Sequence, residues 1–307
     1  MMQSIDDKYQ HSQNVVDIVL KNNPMHRKFL FRALENLTHE ERNEVENYLD
    51  FLFAEKITIE EVAASYLTIV EDTFREELRF RETGRYRFST FAEAQAMVYN
   101  DDAYMSRYMI GLALSSFWWS NHMKMRRFFQ EKIPLLSTRA GIYREVGPGH
   151  GMYFLESMRR CNFSSYEGID ISPTSVQMTS RIIDSGYFGT FPNARIILSD
   201  FLDGSQLQPS DALIMGEVLE HVENPGAFLR RAYETTTADP FFFLTTCINA
   251  PAIDHLYNPE SVENLEKLFN EYGFFIKDRC IVPRDGATLE ECQRERLAIN
   301  VAYVLGK

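Results

Sequence analysis

The pattern of apolar and polar positions along the chain changes near Pro134. Before this residue the chain reads as helical, without a convincing strand alternation. A further helix is expected to begin near Asp101 and to run to about Lys132, because the proline limits its extension. Three earlier helix starts carry a threonine followed three residues later by a glutamate, a reciprocal capping pattern, at Thr38, Thr58 and Thr90.

Short apolar runs typical of strands alternate with helical segments after Pro134. Strands are predicted near 141–146, 165–170, 194–199, 211–215, 241–247, 274–282 and 296–305. Helices are predicted near 152–160, 174–185, 225–237 and 260–271. This alternation is typical of a mostly parallel sheet covered on both faces. We therefore predict an α/β protein, with a Rossmann-like, doubly wound sheet domain over 133–307 and an all-helical N-terminal domain over 1–132.

Charge and hydropathy narrow the class of protein. The net charge is −12, and the acidic residues are spread along the chain, which disfavours a nucleic-acid partner because phosphates need a basic surface. No segment has the order of a signal peptide, and the longest apolar stretch, 109–119, is too short to span a membrane. We expect a cytoplasmic location, reduced thiols at the four cysteines and no membrane partner. The sequence is compatible with a homodimer.

The most informative segment joins the first predicted strand to the helix near 152–160. It reads Glu145-Val146-Gly147-Pro148-Gly149-His150-Gly151. Glycines let the backbone turn sharply and approach a ligand closely, and amides at the following helix N-terminus can face an anion. The spacing differs from the G-x-G-x-x-G of dinucleotide-binding turns. Asp170 ends the next strand about 20 residues later, where doubly wound folds hold a ribose hydroxyl.

The E-x-G-x-G-x-G order resembles motif I of the class I S-adenosylmethionine-dependent methyltransferases. Later segments resemble the same family in order: Ser199-Asp200-Phe201-Leu202, then Gly216 to Val222, then Asp254-His255-Leu256-Tyr257 leading to Pro259-Glu260-Ser261. The last is similar to a segment of small-molecule methyltransferases of the quinone-biosynthesis type. The resemblance covers about residues 130–307. It implies S-adenosylmethionine as cofactor, a small-molecule substrate and a final antiparallel strand.

The resemblance also implies roles for individual residues. Glu145 would lie below the cofactor or contact the methionine amine, Asp170 would hold the ribose, and Asp200 with Phe201 would border the adenine. Simpler interpretations are an edge-exposed strand residue for Glu145, a helix N-cap for Asp170 and a strand-end turn for Asp200. Arg87 lies in a basic-aromatic loop and would either bind a carboxylate or form a surface salt bridge. The cofactor-binding candidates are Glu145, Gly147, Pro148, Gly149, Gly151, Asp170, Ile171, Asp200, Phe201, Gly216 and Arg87.

Two candidate catalytic residues, Glu217 and His221, follow the fourth predicted strand. Their spacing would place them on one face of a helix, where they would act as a general base or bind a metal. In one RNA-methylating branch of the family a similar Glu-x-x-Glu-His cluster holds a metal, together with another histidine. The sequence does not secure that histidine, so we predict no metal site.

Two further catalytic candidates, Asn121 and His122, are polar residues in an apolar neighbourhood. Aromatic residues at helical spacing are usually core, which is the default interpretation for most of this helix. We nevertheless expect the N-terminal helices to close over the acceptor, with water excluded from the site. The leading lid candidates are Arg85, Tyr86, Trp119, Asn121 and His122.

Three functions remain open at the level of sequence. The leading one is methyl transfer from S-adenosylmethionine to an N, O or C nucleophile of a small molecule. One alternative is an intramolecular cyclisation of S-adenosylmethionine that releases methylthioadenosine, since aromatic residues around the sulfonium would stabilise its charge. The other is a non-catalytic scaffold that binds the cofactor. The intact Glu145, glycine turn, Asp170 and Asp200 argue against the scaffold.

Overall fold

The computed structural model describes residues 9–307. Residues 9–136 contain helices and turns only, in agreement with the sequence pattern. The helices are α1 (Gln10–Asn22), α2 (Arg27–Asn36), α3 (His39–Ala54), α4 (Ile59–Thr83), α5 (Phe91–Ala94), α6 (Asp102–Trp118) and α7 (Ser120–Leu136). The predicted caps at Thr38, Thr58 and Thr90 are confirmed. Each threonine hydroxyl accepts from the backbone amide of the glutamate three residues later, and the threonine backbone amide donates to the carboxylate of that glutamate.

The long helix predicted from Asp101 to Lys132 is wrong, because the chain forms two helices there. Trp119 has an extended backbone, with φ −112° and ψ 126°, which ends α6 and begins α7. Both indoles pack on Tyr66: Trp118 edge-on at 5.0 Å, and Trp119 by donating its Nε1–H to the hydroxyl at 3.1 Å. Helix α7 also passes through Pro134, in its last turn, where few backbone hydrogen bonds remain to be lost.

A seven-stranded sheet follows, with the order β3-β2-β1-β4-β5-β7-β6. Strands β1 to β5 pair in parallel, and β7 runs antiparallel to β5 and β6, so the predicted final antiparallel strand is confirmed. The strands are β1 (Ile142–Val146), β2 (Ser165–Asp170), β3 (Ala194–Leu198), β4 (Ser210–Gly216), β5 (Thr236–Ile248), β6 (Phe275–Pro283) and β7 (Ile299–Gly306).

The helices of this half lie where they were predicted, with one addition. They are α8 (Met152–Arg160), α9 (Pro173–Asp184), α10 (Pro225–Glu234), α11 (Val262–Glu271) and α12 (Leu289–Glu295). Helix α12 lies in the connection between β6 and β7 and was not predicted, although Thr288 and Glu291 form a capping box there. No helix within residues 9–307 has the length and apolar character that a bilayer span requires.

Two apolar clusters cover the two faces of the sheet. Successive side chains of a strand point to opposite faces of the sheet, so in β5 Phe242 belongs to one cluster and Phe243 to the other. The cluster around Phe243 continues into the helices, where Phe129 packs edge-on against it at 4.8 Å, and reaches Val15 of α1. Helices and sheet thus share one core, and the division into domains at residue 132 stays a prediction.

Candidate active site

A cavity of about 700 Å³ lies at the carboxyl ends of the parallel strands. Strands β1 and β4 are neighbours in the sheet, but the chain leaves them toward opposite faces. Open α/β sheets form ligand-binding crevices at such a point, outside the carboxyl ends of the strands. Residues of α6 and α7, among them Met109, Trp119 and Arg126, form the opposite wall. The volume falls within the range of about 300–1,000 Å³ that is usual for small-molecule sites.

The glycine turn between β1 and α8 borders one end of this cavity. Gly147, Gly149 and Gly151 have φ of +64°, +55° and +74°, a left-handed conformation that a side chain disfavours. The Gly149 amide donates to Asp170 Oδ2 at 3.1 Å, and the Thr179 hydroxyl donates to the Gly149 carbonyl at 3.0 Å. The turn is therefore fixed between β2 and α9. Gly147, Pro148 and Gly149 line the cavity, whereas Gly151 caps α8 just outside it.

Asp170 ends β2 beside the glycine turn and lines the cavity. Its Oδ1 accepts the Ser172 amide at 2.9 Å, so it orders the turn before α9, where Ser172 itself is the N-cap. Burial raises the pKa of Asp170 to about 6. A carboxylate offers about four acceptor positions, so lone pairs remain for ribose hydroxyls after both backbone contacts. The adjacent Ile171 is 41% exposed and offers an apolar surface at the cavity.

Glu145 is a buried carboxylate below the glycine turn, and the edge-strand interpretation of it is wrong. Strand β1 lies in the middle of the sheet, between β2 and β4. The Tyr143 hydroxyl donates to Glu145 Oε2, and burial raises the pKa of Glu145 to about 8. Because the residue also lines the cavity, a cationic group of a ligand would stabilise its ionised form.

Three further cofactor candidates line the cavity beyond Asp170. Asp200 is exposed, and its Oδ1 accepts the Leu202 amide at 2.8 Å, as a strand-end turn would. Phe201 is only 3% exposed and packs near Phe228, so most of its ring belongs to the core. Gly216 ends β4, and a Cβ there would lie 2.8 Å from the ring of Tyr153, so any side chain would have to displace that ring.

The basic-aromatic loop after α4 does not line the cavity, although Tyr86 packs edge-on against the wall residue His255, with ring centres 5.6 Å apart. Arg87 donates from Nε to Glu76 Oε1 at 2.8 Å, and Glu76 is buried. Neither Arg87 nor the lid candidates Arg85 and Tyr86 belong to the cavity wall, whereas Trp119, Asn121 and His122 do. A cofactor-binding role for Arg87 stays a prediction without support from this geometry.

The break between α6 and α7 places Asn121 and His122 at the cavity. Asn121 Nδ2 donates to Asn300 Oδ1 at 2.9 Å, which ties α7 to β7. His122 Nδ1 lies 2.7 Å from Ser115 Oγ, and the Ser115 hydroxyl proton is directed to the Leu112 carbonyl at 2.6 Å. Ser115 Oγ therefore accepts from Nδ1–H, which leaves His122 Nε2 as the basic nitrogen. Burial lowers the pKa of His122, so this imidazole is neutral at neutral pH.

Glu217 and His221 both line the cavity, but the expectation that they share a helical face is wrong. Glu217 has φ +53°, and only Leu219–His221 form a short 3-10 turn. Glu217 Oε1 is buried and has no hydrogen-bond partner among the described residues. His221 Nδ1 lies 3.3 Å from Asp254 Oδ2.

Several cavity residues escaped the sequence interpretation. Asp254 is 1% exposed and accepts from the hydroxyls of Tyr99, at 2.9 Å, and Tyr108, at 3.4 Å. His255 packs edge-on against His221, with ring centres 4.8 Å apart. The sequence contained one signal, because Asp254 and His255 belong to a segment that resembles the family. Nothing in the sequence indicated that two tyrosines from the helical half would reach it.

A family model of the methyltransferase domain matches residues 121–279, more than half of the chain. The chain belongs to this family. It is a class I S-adenosylmethionine-dependent methyltransferase. The glycine turn, Asp170 and Glu145 fit that cofactor, because they bring a close backbone turn and two buried carboxyl groups to one cavity. No curated protein matches the chain.

Solved structures share the fold of this methyltransferase at low identity. The cyclopropane synthase MmaA2 from Mycobacterium tuberculosis is 14% identical, covers 71% of this chain and 98% of its own, and has a TM-score of 0.51. The N-methyltransferase NodS from Bradyrhizobium japonicum WM9, in complex with S-adenosyl-L-homocysteine, is 12% identical over 71% of this chain and 98% of its own, with a TM-score of 0.48. The [4+2]-cyclase SpnF is 14% identical over 62% and 82%, also with a TM-score of 0.48.

Proposed function

We propose that this methyltransferase methylates a small molecule that binds in the cavity, between the strand ends and helices α6 and α7. The observation that carries the proposal is the cavity itself. Its walls place the cofactor candidates Glu145 and Asp170 at the sheet, and Asn121 and His122 at the helices. A cavity between two such walls can align an acceptor with the cofactor and exclude water.

The cofactor end binds through strand-end groups. Asp170 would accept from the ribose hydroxyls, Ile171 would border the adenine, and Glu145 would attract the positive end of the methionine moiety. S-adenosylmethionine supplies a methyl group that its sulfonium already activates. The protein therefore mainly has to hold the acceptor in line and, for an O–H or N–H acceptor, to take up a proton.

His122 is the group best suited to take up that proton. Its Nδ1–H is committed to Ser115, and Nε2 is unprotonated. A neutral imidazole with a fixed tautomer is a ready general base. We therefore assign His122 as the base and Asn121, fixed by Asn300, as an orienting group for the acceptor.

Arg126 points to the chemical class of the acceptor. The residue is 4% exposed and lines the cavity, and its Nη2 donates to Glu44 and to Glu156, the latter at 3.3 Å. Its Nη1 is buried without a partner among the described residues. An unpaired buried donor costs free energy that a ligand oxygen would recover. We propose an acceptor that carries a carbonyl or carboxylate oxygen.

The setting of the reaction follows from charge. A net charge of −12 disfavours a nucleic-acid acceptor, and we propose a free small molecule in the cytoplasm instead. The assembly, monomer or homodimer, is open to measurement by light scattering during size-exclusion chromatography.

Mass spectrometry of the products tests the proposal. The full chain is incubated with S-adenosylmethionine alone and then with pools of small acceptors, half of which carry a carboxylate. We expect S-adenosylhomocysteine together with an acceptor heavier by one methyl group, only when the acceptor is present. Methylthioadenosine from the cofactor alone would instead establish cyclisation. Binding of S-adenosylmethionine without any product from a broad acceptor screen would favour the scaffold.

A further inference from the structure

We infer that Glu217, Glu220, His221 and His255 form a binding site for a divalent metal ion in the wall of the cavity. Ligand atoms of Glu220, His221 and His255 all lie within 4.8 Å of one another, and so do those of Glu217, Glu220 and Cys247. Metal–ligand bonds of about 2.0–2.2 Å place neighbouring donor atoms roughly 3.0–3.5 Å apart, so binding would draw these side chains about 1 Å or more closer together than that limit. Glu220 belongs to both sets and would be the central ligand.

Each histidine of the cluster has a partner that fixes its tautomer. His255 Nδ1 lies 2.8 Å from the Ala250 carbonyl, which can only accept, so Nδ1 carries the proton. His221 Nδ1 lies 3.3 Å from Asp254 Oδ2 and also 3.3 Å from the Asp254 carbonyl, which are acceptors too. Nε2 is therefore the free nitrogen of both rings. Metal-binding histidines are held in this way, by a carboxylate or a backbone carbonyl on the other nitrogen.

The outer partners of His221 are themselves fixed. Asp254 is buried and accepts from the hydroxyls of Tyr99, at 2.9 Å, and Tyr108, at 3.4 Å. Two backbone amides, of Leu256 at 2.7 Å and Tyr257 at 3.0 Å, donate to the Glu220 carbonyl. These bonds hold the segment with His255 against the turn with His221. The sequence could not place this histidine, because 34 positions separate the two rings (255 − 221).

The two carboxylates lack the partners that their burial requires. Glu220 is fully buried, and its Oε2 accepts from the Thr246 hydroxyl at 2.7 Å, whereas its Oε1 has only the Cys247 thiol, at 3.9 Å. Glu217 Oε1 is buried with no hydrogen-bond partner among the described residues. Two neighbouring carboxylates in such surroundings need a shared proton or a cation.

The backbone of Glu217, one of the proposed ligands, has a strained conformation. Its φ of +53° is rare for a residue with a side chain, and its amide donates to the Thr245 carbonyl at 3.0 Å, which holds the conformation. Strain of this kind costs about 1–3 kcal/mol and concentrates at functional sites.

The donor set and its position indicate the ion and its role. Two neutral imidazoles with carboxylates suit Zn²⁺, Fe²⁺, Co²⁺ or Mn²⁺ better than Ca²⁺ or Mg²⁺. Glu217, His221 and His255 line the cavity, whereas Glu220 lies behind them, so the bound ion would face the acceptor. It would bind an acceptor oxygen and favour its deprotonation. This role rests on the proposed function, but the existence of the site does not.

Calorimetric titration with the metal alone tests the site. Zn²⁺, Mn²⁺ and Co²⁺ are titrated separately into the full chain after chelator treatment, and visible absorption reports the coordination of Co²⁺. We expect one ion per chain for at least one metal. In His255→Gln or His221→Gln the affinity should be at least about 100-fold weaker, because loss of a ligand costs more than the roughly 10- to 100-fold that loss of an outer partner costs. His11→Gln, at a partly exposed position where α1 meets Asp50 of α3, is the matched control and should bind the metal like the wild type.

Separate readouts keep the site falsifiable. Circular dichroism and S-adenosylmethionine binding are measured on the metal-free variants, and if a histidine variant does not fold, Glu217→Gln, at a partly exposed position, replaces it. Wild-type protein that binds none of the three metals, or variants that bind them as the wild type does, would overturn the site. Loss of methyl transfer with intact metal binding would instead count against the proposed function.

Discussion

The two ends of the cavity are built in different ways. At the proposed cofactor end, the contacts join the ends of adjacent strands and their turns: Gly149 to Asp170 at 3.1 Å, and Asp170 to Ser172 at 2.9 Å. At the acceptor end they join distant residues, as Asn121 to Asn300 at 2.9 Å. The cofactor end therefore depends on a few strand-end turns, and the acceptor end depends on how the helical half packs on the sheet. Changes at the two ends should separate cofactor affinity from turnover.

The largest difference between the effect on turnover and the effect on cofactor affinity is expected at His122. His122→Gln removes the proposed base but keeps a side chain of similar polarity. We expect turnover of an O–H or N–H acceptor to fall by about 10²–10⁴-fold, the usual contribution of general base catalysis. The Kd of S-adenosylmethionine should stay within about twofold, because His122 does not belong to the cofactor end. A product assay and calorimetry check the two values, with His11→Gln as control. Equal losses in both would contradict the separation.

The opposite result is expected at Asp170. Asp170→Ala removes the proposed ribose acceptor, and a hydrogen bond to a charged group contributes about 1.5–3 kcal/mol, or roughly 10- to 150-fold in Kd. The thermal midpoint should fall modestly, because the Gly149 and Ser172 amides lose their acceptor while no apolar core is lost. Asp184→Ala, on the exposed end of α9, is the matched control. Unchanged cofactor affinity in Asp170→Ala would remove this residue from the cofactor site.

A smaller effect is expected from pH at Glu145. Burial raises the pKa of Glu145 to about 8, so the free protein holds this proton at pH 6.5 and loses it as pH rises. The cationic cofactor prefers the ionised carboxylate, so its affinity should rise by about fivefold to tenfold from pH 6.5 to 7.5.

Comparison with Glu145→Gln isolates this carboxylate. The amine of S-adenosylmethionine itself titrates at about pH 8, but it does so equally for the wild type and the variant. The variant should bind with an affinity that is nearly independent of pH over this interval. Titration calorimetry in two buffers of different ionisation enthalpy also counts the released proton. The same pH slope in the variant would assign the proton to another group.

The smallest effect on function is expected at Arg87, outside the cavity. Arg87→Ala leaves the buried Glu76 carboxylate unpaired, which should lower the free energy of unfolding by about 1–3 kcal/mol. Cofactor affinity should change by less than about twofold. Arg294→Ala removes an exposed ion pair with Glu295 and should cost less than about 1 kcal/mol. A large loss of cofactor affinity in Arg87→Ala would restore the role predicted from its sequence.

Local sequence determined much of this protein. The caps at Thr38, Thr58 and Thr90 depend on residues three positions apart, and the alternation of strands and helices depends on short-range periodicity. The glycine turn and Asp170 lie at the ends of adjacent strands, so their proximity follows from the fold alone. For this reason the sheet, the antiparallel last strand and the contact between the glycine turn and Asp170 were predictable.

Tertiary structure decided the rest, because long-range packing outweighs local preference. Trp119 leaves the helix so that both indoles reach Tyr66, which neither spacing nor propensity reveals. Arg87 meets a buried carboxylate instead of the cavity. His255 comes to His221 only because backbone bonds to Glu220 dock its segment there. A motif specifies which donor groups a chain carries, whereas the packing of distant segments decides which of them share one cavity.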